Sequence, residues 1–318
     1  MSARVAAVVL SWNGAPYLER CLGSLLAQSH PDLEIVVFDN GSSDRSREIA
    51  RRILQGSHRP HRVLESVVNV GFAAGNDEAI AACDAPFVLC ANQDVELETD
   101  YVARLMAAMD GNPMLGAAAG CLLREDRVTI DSMGQRPSYA RRCVEEGAGT
   151  RIGDAPRGAP RRVFSVCAAA ALYRRKALDL VSRDPGVKTG PFDADFFAYY
   201  EDLDLGWRLQ RAGWDAMVVP AARAYHVRGG SAPGSGRMLG RLAPALRLHV
   251  LQNRFFTVLR NESASGLLLH LPGFLLWEAL LWIYLSARDG QTLAAHARSL
   301  PVTIQKGLAK RAHARSMG

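Results

Sequence analysis

Short apolar runs alternate with polar loops and helix-like segments over the first 123 residues. The runs VAAVVL, LEIVVF and FVLCA, with the weaker RVLESV, have the length and apolar content of buried strands. Each is followed by a segment that favours a helix. Strands that alternate with helices pack as a mainly parallel sheet with helices on both faces, so the pattern predicts an α/β fold.

Four loops rich in Asp, Asn, Ser and Gly follow these strands: SWNG, DNGSSD, NVGFAAGN and NQD. Open parallel sheets bind ligands beyond the carboxyl ends of their strands, so these loops locate the predicted site. On chemistry alone, NQD offers oxygen ligands for Mg²⁺ or Mn²⁺, but it fits an ordinary turn capped by Asp94 equally well. The other loops also fit either ligand binding or plain turn chemistry.

The stretch FAYYEDLDLGWRLQRAGW places three acids directly behind aromatic residues. As a helix that stops at Gly213, it puts Leu205, Leu209 and Ala212 on one face and the acids in the first turn. An ion pair between Asp204 and Arg208 would be purely structural. Carboxylates are costly to hold beside aromatic side chains, so the same stretch also fits a functional site.

Periodicity fails from Arg124 to Arg162, which predicts either an excursion over the site or a plain surface insertion. A helix is expected around Leu239 to Leu259. We divide the chain into an α/β domain at 1–238 and a C-terminal helical region at 239–318.

The C-terminal region contains the almost continuously apolar run GLLLHLPGFLLWEALLWIYL. Pro272, Gly273 and Glu278 interrupt it, which favours an interfacial helical hairpin over one bilayer span. The basic residues that follow suit an anionic membrane face. A dimer interface or a small C-terminal subdomain explains the same composition, so a homodimer also stays open.

Composition narrows the class of protein. The 38 Lys and Arg against 32 Asp and Glu leave a formal charge of +6, which fits an anionic substrate or membrane better than nucleic acid. The six cysteines show no metal-site or disulfide spacing, and the first apolar run is too short for a signal peptide. We expect a cytoplasmic protein, with a peripheral position on the inner membrane face as a variant of that expectation.

Taken in order, the motifs VVLSWNG, DNGSSDRS, NVGFAAGN, NQDVE, FFAYYEDLDLGWRLQRAGW and AYHVRGGS resemble the family 2 glycosyltransferases of GT-A fold. They are most similar to the bacterial rhamnosyltransferase-like branch, over residues 4–260. The resemblance implies a mainly parallel but mixed sheet and inverting transfer of a sugar, with rhamnose expected, from a nucleotide diphosphate donor. The cation is usually Mg²⁺ or Mn²⁺.

The partners follow from the same resemblance. The donor is expected to be dTDP- or UDP-linked, and the acceptor a glycan or, if the membrane interpretation holds, a polyprenyl-diphosphate-linked sugar. QRAGW and QNRFF both miss the spacing of the Gln-x-x-Arg-Trp motif of processive synthases, which favours transfer of a single sugar.

The resemblance also implies roles for individual residues. Asp202 matches the catalytic base, with Glu201, Tyr199 and Tyr200 around the acceptor. Asp94 and His226 match the metal site, although Asn92 stands where many relatives have Asp. The predicted nucleotide-binding residues are Ser11, Trp12, Asn13, Asp39, Asn69, Gly71, Asn76 and Asn92.

Three other classes of protein fit less well. A sugar nucleotidyltransferase expects a Gly-rich basic loop after the first strand, where this chain has SWNGAPYLER, and a dehydrogenase expects G-x-G-x-x-G after a strand. A non-catalytic sugar-nucleotide-binding or membrane-bound subunit is the remaining alternative, and the joint presence of Asp39, Asp94, Asp202 and His226 argues against it.

Overall fold

The computed structural model describes residues 3–153, 158–184, 187, 190–228 and 242–315. The strands are β1 (Val5–Ser11), β2 (Leu33–Asn40), β3 (His61–Ser66), β4 (Phe87–Asn92), β5 (Val95–Leu97), β6 (Leu115–Arg124), β7 (Ile130–Ser132), β8 (Gln135–Pro137), β9 (Cys143–Glu145), β10 (Arg161–Val163), β11 (Ala170–Arg174) and β12 (Asp215–His226). The helices are α1 (Leu18–Leu26), α2 (Ser46–Gln55), α3 (Phe72–Ala81), α4 (Tyr101–Gly111), α5 (Arg175–Ser182), α6 (Glu201–Arg211), α7 (Pro244–Asn261), α8 (Ala264–Arg288) and α9 (Gly290–Arg315).

The predicted α/β architecture is confirmed, with a mixed central sheet. Its strand order is β10-β12-β6-β11-β4-β1-β2-β3, and β5 and β7 pair with β12 and β6 at its side. Strands β3, β2, β1 and β4 are mutually parallel, whereas β11 runs antiparallel to both of its neighbours. The carboxyl ends of β1, β2 and β4 therefore lie at one edge of the sheet, as the sequence predicts.

Alternate residues of the central strands face two apolar layers. Val5, Ala7 and Val9 of β1 pack with α1, α2 and α4, while Ala6 and Val8 pack with α3, α5 and α6. Both layers are almost fully buried. Because helices cover both faces, the strands read as nearly continuous apolar runs rather than as alternating ones.

The predicted helix α6 forms, with acids in its first turn and Gly213 just beyond its end at φ +84°. Leu205 and Leu209 are buried as expected. The prediction for Ala212 is wrong, because it is an exposed residue that follows the last helical turn. The ion pair between Asp204 and Arg208 exists at 2.7 Å and is fully buried.

The segment from Arg124 to Arg162 is more ordered than its composition indicates. Strands β7 and β10 join the main sheet, and β8 and β9 form a separate antiparallel hairpin. In that hairpin Gln135 lies opposite Glu145, and Pro137 opposite Cys143. Gln135, Cys143 and Glu145 of this hairpin line a cavity together with residues at the carboxyl ends of β1 and β4, so the segment is an excursion over the predicted site.

The C-terminal region is helical, and the junction predicted at 238/239 lies outside the described residues. The expected helix at 239–259 begins at Pro244 and ends at Asn261. The prediction of a hairpin within the apolar run is wrong, since α8 continues through Pro272 for 25 residues. Glu278 does not interrupt it because its carboxylate pairs with Arg254 of α7.

Helix α8 is also the one described helix that is long and apolar enough to span a bilayer. Its most apolar window has a mean hydropathy of 1.6, and only 17% of that window is buried. Large apolar side chains on it face outward, among them Leu268, Leu269, Leu275, Leu276 and Ile283. A strongly apolar face therefore lies open on this helix.

A buried ionic cluster joins the C-terminal helices to the rest of the protein. Arg260 of α7 contacts Asp184 at 3.0 Å, Asp193 at 2.9 Å and Asp204 at 3.2 Å. Lys310 of α9 also pairs with Asp193. Desolvation opposes ionisation of Asp204, but Arg260 and Arg208 outweigh it and lower the pKa of that carboxyl.

Candidate active site

A strained turn precedes α6 and sets the position of its first acids. Phe197, Tyr199 and Tyr200 all have positive φ, at 60°, 72° and 72°, a region that side chains other than Gly rarely occupy. The amide of Asn253 on α7 donates to the backbone carbonyls of Phe196, Ala198 and Tyr199 at 2.7–2.9 Å. Such strain persists only where surrounding contacts hold it, and it is common at functional sites.

Asp202, the predicted base, stands at the start of α6 and faces a large cavity. Its Oδ2 accepts a hydrogen bond from Gln135 Nε2 at 2.7 Å, and its Oδ1 accepts one from the Leu203 backbone N–H at 2.8 Å. Burial raises the pKa of this carboxyl, while these hydrogen bonds oppose the rise. No local sequence signal points to Gln135, which lies in the stretch without periodicity.

Glu201 and Asp202 are adjacent carboxyls with different environments. Burial and the neighbouring Asp202 charge raise the pKa of Glu201 well above its ordinary value. Its Oε2 is buried without a hydrogen-bond partner among the described residues, whereas Asp202 accepts several. Hydrogen bonds stabilise a carboxylate, so Asp202 is the member of the pair whose ionised form the surroundings favour, whereas those around Glu201 favour its neutral form.

A third carboxyl, Glu145 of β9, is linked to Asp202 through Gln135. The amide nitrogen of Gln135 donates to Glu145 Oε1 at 2.9 Å as well as to Asp202. Burial and the charge of Asp202 raise the pKa of Glu145 to about 7. Gln135 is thus the hydrogen-bond donor shared by both carboxyls.

The predicted metal residues meet at the carboxyl ends of β4 and β12. His226 Nε2 lies 3.4 Å from Asp94 Oδ1, and its Nδ1 contacts Asp131 Oδ2 at 2.9 Å. Asp131 also accepts from Arg228 at 2.6 Å. Desolvation disfavours a charged imidazole, but hydrogen bonds to Asp131 and Asp94 outweigh it and raise the pKa of His226 to about 9.

This pair fits a divalent cation that arrives with its own phosphate ligands. Among the described residues no group of three His, Cys, Asp or Glu side chains could hold a metal ion. Asp94 would supply a hard oxygen, and His226 would supply Nε2 once the cation displaces the proton from that nitrogen. Asp131 holds the imidazole through Nδ1. The protein side of the site thus offers two ligands, and a bound phosphate would have to complete the set.

On the nucleotide side, the structure divides the predicted residues. Trp12, Asn69, Gly71 and Asn92 line the cavity, as do Asp94, Tyr199, Tyr200, Glu201, Asp202 and His226. Asn13 lies beside it at φ 49° and accepts from the Ser43 N–H at 2.9 Å. Asn76 does not reach the cavity, because it is buried inside α3 and donates to the Phe72 carbonyl.

Ser11 and Asp39 lie side by side at the ends of β1 and β2. Both are buried, and Ser11 Oγ and Asp39 Oδ1 have no hydrogen-bond partner among the described residues. Asp39 Oδ2 accepts from the Ser42 N–H at 3.1 Å and lies 3.3 Å from Arg47 Nε. Buried polar atoms of this kind are usually paired, so they point to a bound polar group.

Gly71 is required where α3 begins. Its φ is +92°, and a Cβ there would lie 2.6 Å from the Phe197 ring. Asn69 Oδ1 accepts from Asn40 and from the Gly71 N–H. This turn and the strained turn before Asp202 therefore pack against each other.

The cavity measures about 1120 Å³ and has one polar and one apolar wall. The polar wall carries the residues above. The apolar wall, which sequence reasoning did not assign to the site, comes from α7 and α8: Leu246, Val250, Leu251, Trp277, Leu280, Leu281 and Tyr284. Arg142 and Arg254 lie on the same cavity. The sequence analysis interprets the apolar run as a membrane element, a dimer interface or part of a small C-terminal subdomain, because its place beside Asp202 depends on the fold.

Comparison with known proteins agrees with this geometry. The model of the family "Glycosyl transferase family 2" matches residues 6–181, more than half of the chain. The N-acetylglucosaminyl-diphospho-decaprenol L-rhamnosyltransferase of Mycobacterium tuberculosis H37Rv is 28% identical over 244 residues, 69% of this chain and 74% of that protein. The poly-β-1,6-N-acetyl-D-glucosamine synthase of Staphylococcus epidermidis is 22% identical, over 88% of this chain but 63% of that protein.

Solved structures share the fold at low sequence identity. The mannosyltransferase PcManGT of Pyrobaculum calidifontis, in complex with GDP-Man and Mn²⁺, superposes with a TM-score of 0.58 at 18% identity over 99% of this chain and 85% of that one. GalNAc-T7 with UDP, GalNAc and Mn²⁺ gives 0.57 at 14% identity, over 80% of this chain and 47% of that one. With its GT-A-like fold and the family match, the chain belongs to glycosyl transferase family 2 and is a glycosyltransferase.

Proposed function

We propose that the protein transfers a single sugar, rhamnose in our proposal, from a dTDP- or UDP-linked donor with inversion, and that Asp202 is the general base. The acceptor is a glycan or a polyprenyl-diphosphate-linked sugar. The observation that carries the proposal is the position of Asp202, a carboxyl that accepts a hydrogen bond from Gln135 and lines the cavity between the polar loops and the apolar helices.

The chemistry follows from that position. Asp202 accepts the proton of the acceptor hydroxyl while that oxygen attacks the anomeric carbon, and the bond to the nucleotide diphosphate breaks on the opposite face. Tyr199 and Tyr200 offer aromatic surface beside the carboxylate. The raised pKa of Glu201 favours its protonated form, which can donate a hydrogen bond to an acceptor oxygen.

Asp94 and His226 would hold a Mg²⁺ or Mn²⁺ ion that also binds the donor diphosphate. Such a cation neutralises charge on the leaving diphosphate. The structural relatives solved with Mn²⁺ support this assignment. Arg228, close to Asp131, adds positive charge to the same region.

The donor nucleoside is proposed to lie over the ends of β1 and β2. Ser11 Oγ and Asp39 Oδ1 would serve its base or ribose, and the half-exposed Trp12 ring would cover it. Relatives solved with UDP-GlcNAc and with GDP-Man support a sugar nucleotide in this fold.

The apolar face of α8 supports a peripheral position on the cytoplasmic face of the membrane. Its outward leucines would rest among lipid chains, and the basic residues of α9 would face anionic headgroups. A relative named for a diphospho-decaprenol acceptor agrees with this placement.

Thermal unfolding in the presence of nucleotides tests the donor site. We expect dTDP- or UDP-sugars with Mn²⁺ to stabilise the protein, by about 2.7 kcal/mol at one hundred times the dissociation constant. Asp94→Ala should lose the cation-dependent part of the stabilisation, while Asp110→Ala, an exposed acid on α4, should keep it. Equal stabilisation of the Asp94 variant and the wild type would contradict the metal assignment.

Replacement of Gln135 tests the support of the base. Gln135 favours the ionised form of Asp202, so Gln135→Leu should raise the pKa of Asp202 further and move the acid limb of the transfer rate to higher pH. Loss of the hydrogen bond should also lower the rate at neutral pH. The measurement is the pH–rate profile of the wild type and the variant. A lower rate with the acid limb at the same pH would show that Gln135 contributes to packing and not to the pKa of Asp202.

A further inference from the structure

The cavity changes character along the β8–β9 hairpin. At one end Gln135 and Glu145 contact or approach Asp202, and at the other Arg142 precedes β9. Residues 143–145 are extended, so the Arg142 backbone lies roughly 10 Å from that of Glu145, at about 3.3 Å per residue. That span is comparable to one hexopyranose with its anomeric phosphate.

Arg142 is the cation at this end of the cavity. Its guanidinium lies 3.9 Å from the centre of the Trp277 ring on α8. None of the described carboxylates forms an ion pair with it, whereas the neighbouring Arg254 is buried and paired with Glu278. Arg142 is exposed and lines the cavity. Its guanidinium makes no hydrogen bond to the described residues, and its five N–H donors are therefore available to an anion.

Beyond Trp277 the wall becomes apolar and leads out of the cavity. Leu280, Leu281 and Tyr284 follow on α8 within the cavity lining. Leu280 is itself 54% exposed, and Leu276 and Ile283 next to it are exposed as well. A continuous apolar path thus runs from the cation to the surface of α8.

We propose that Arg142, held over Trp277, binds the phosphate groups of a lipid-linked acceptor. The hydrocarbon chain of that acceptor would leave the cavity across α8, past the buried Leu281 and the exposed Leu280. The order of groups along the wall is carboxylate, cation, aromatic ring and aliphatic side chains. That order matches an acceptor with a sugar, a diphosphate and a polyprenyl chain. The proposal rests on the proposed function, because it assigns the acceptor half of the same cavity.

Binding of short prenyl compounds tests it without any transfer reaction. The probes are geranyl diphosphate, geraniol and inorganic pyrophosphate, titrated by calorimetry in EDTA so that no cation directs phosphate to Asp94. We expect geranyl diphosphate to bind more tightly than either fragment. Arg142→Gln should weaken geranyl diphosphate about 10- to 100-fold and leave geraniol unchanged, since charge-assisted hydrogen bonds are lost. Arg136→Gln, an exposed arginine of the same hairpin, is the matched control.

A separate variant tests the apolar wall of the cavity. Leu280→Gln should weaken geraniol and geranyl diphosphate by the same factor, whereas Leu268→Gln, at a more exposed position off the cavity, should change neither. Geranyl diphosphate that binds Arg142→Gln as tightly as wild type overturns the proposal. So does a loss of UDP–Mn²⁺ binding in Arg142→Gln with geranyl diphosphate unaffected, which would assign Arg142 to the donor. Absence of transfer activity would refute the proposed function and leave this binding result standing.

Discussion

Asp202→Asn is expected to lower the transfer rate by about 10² to 10⁴ and to leave nucleotide and cation binding unchanged. Asparagine keeps the shape of the side chain and a hydrogen-bonding oxygen, but it cannot accept the acceptor proton. Steady-state transfer assays with a fixed donor, together with titration of UDP and Mn²⁺, separate the two effects.

The neighbouring acids are the controls for this variant. Burial and the neighbouring charge raise the pKa of Glu201 well above its ordinary value. Because the neutral form of Glu201 is favoured, Glu201→Gln should reduce the rate less than Asp202→Asn. The opposite ranking would assign the base to Glu201. A matching loss of donor affinity in Asp202→Asn would show instead that the carboxylate acts in donor binding.

The pH dependence of the wild-type rate gives an independent test of the same assignment. Burial raises the pKa of Asp202, so the base loses its charge at a higher pH than a solvent-exposed aspartate would. The rate should therefore fall on the acid side through that raised pKa. Asp202 works as a base only above it.

Most residues of the polar wall of the cavity were predicted from the sequence, because they depend on local chemistry. In a parallel sheet the loops after β1, β2 and β4 lie at one edge, and this placement does not depend on the packing of the rest of the chain. The acids of α6 directly follow aromatic residues in the sequence, so Asp202 could be predicted as a candidate without the structure. Asn76 was misplaced because its loop motif continues into α3, where helical geometry turns its side chain inward.

The other half of the site depends on distant contacts. Gln135 and Glu145 belong to a segment without periodicity, and only the hairpin pairing and the packing against α6 bring them to Asp202. Trp277 and Leu281 belong to an apolar run whose composition fits a membrane, a dimer or a core equally well. Their position beside a carboxylate follows from the packing of α7 and α8, which no local pattern encodes.

The C-terminal helices also hold the site together, and the variant that tests this is Arg260→Met. The side chain of Arg260 is fully buried against Asp184, Asp193 and Asp204. Removal of one partner leaves buried carboxylates without their shared cation, so we expect a loss of about 3–5 kcal/mol in the free energy of unfolding. Urea unfolding monitored by circular dichroism measures it.

Arg104→Met is the matched control, because Arg104 pairs with Asp100 at 2.6 Å but both side chains are about half exposed. An exposed pair contributes less than about 1 kcal/mol, so this variant should unfold almost as the wild type does. Similar losses in the two variants would show that the buried cluster adds no special stability. The wild type should also lose stability in acid, as pH falls through the lowered pKa of Asp204 and its carboxylate is neutralised.

Helix α7 carries both Arg260 and Asn253, and Asn253 holds the strained turn before Asp202. The same helix therefore contributes both to the stability of the fold and to the position of the proposed base.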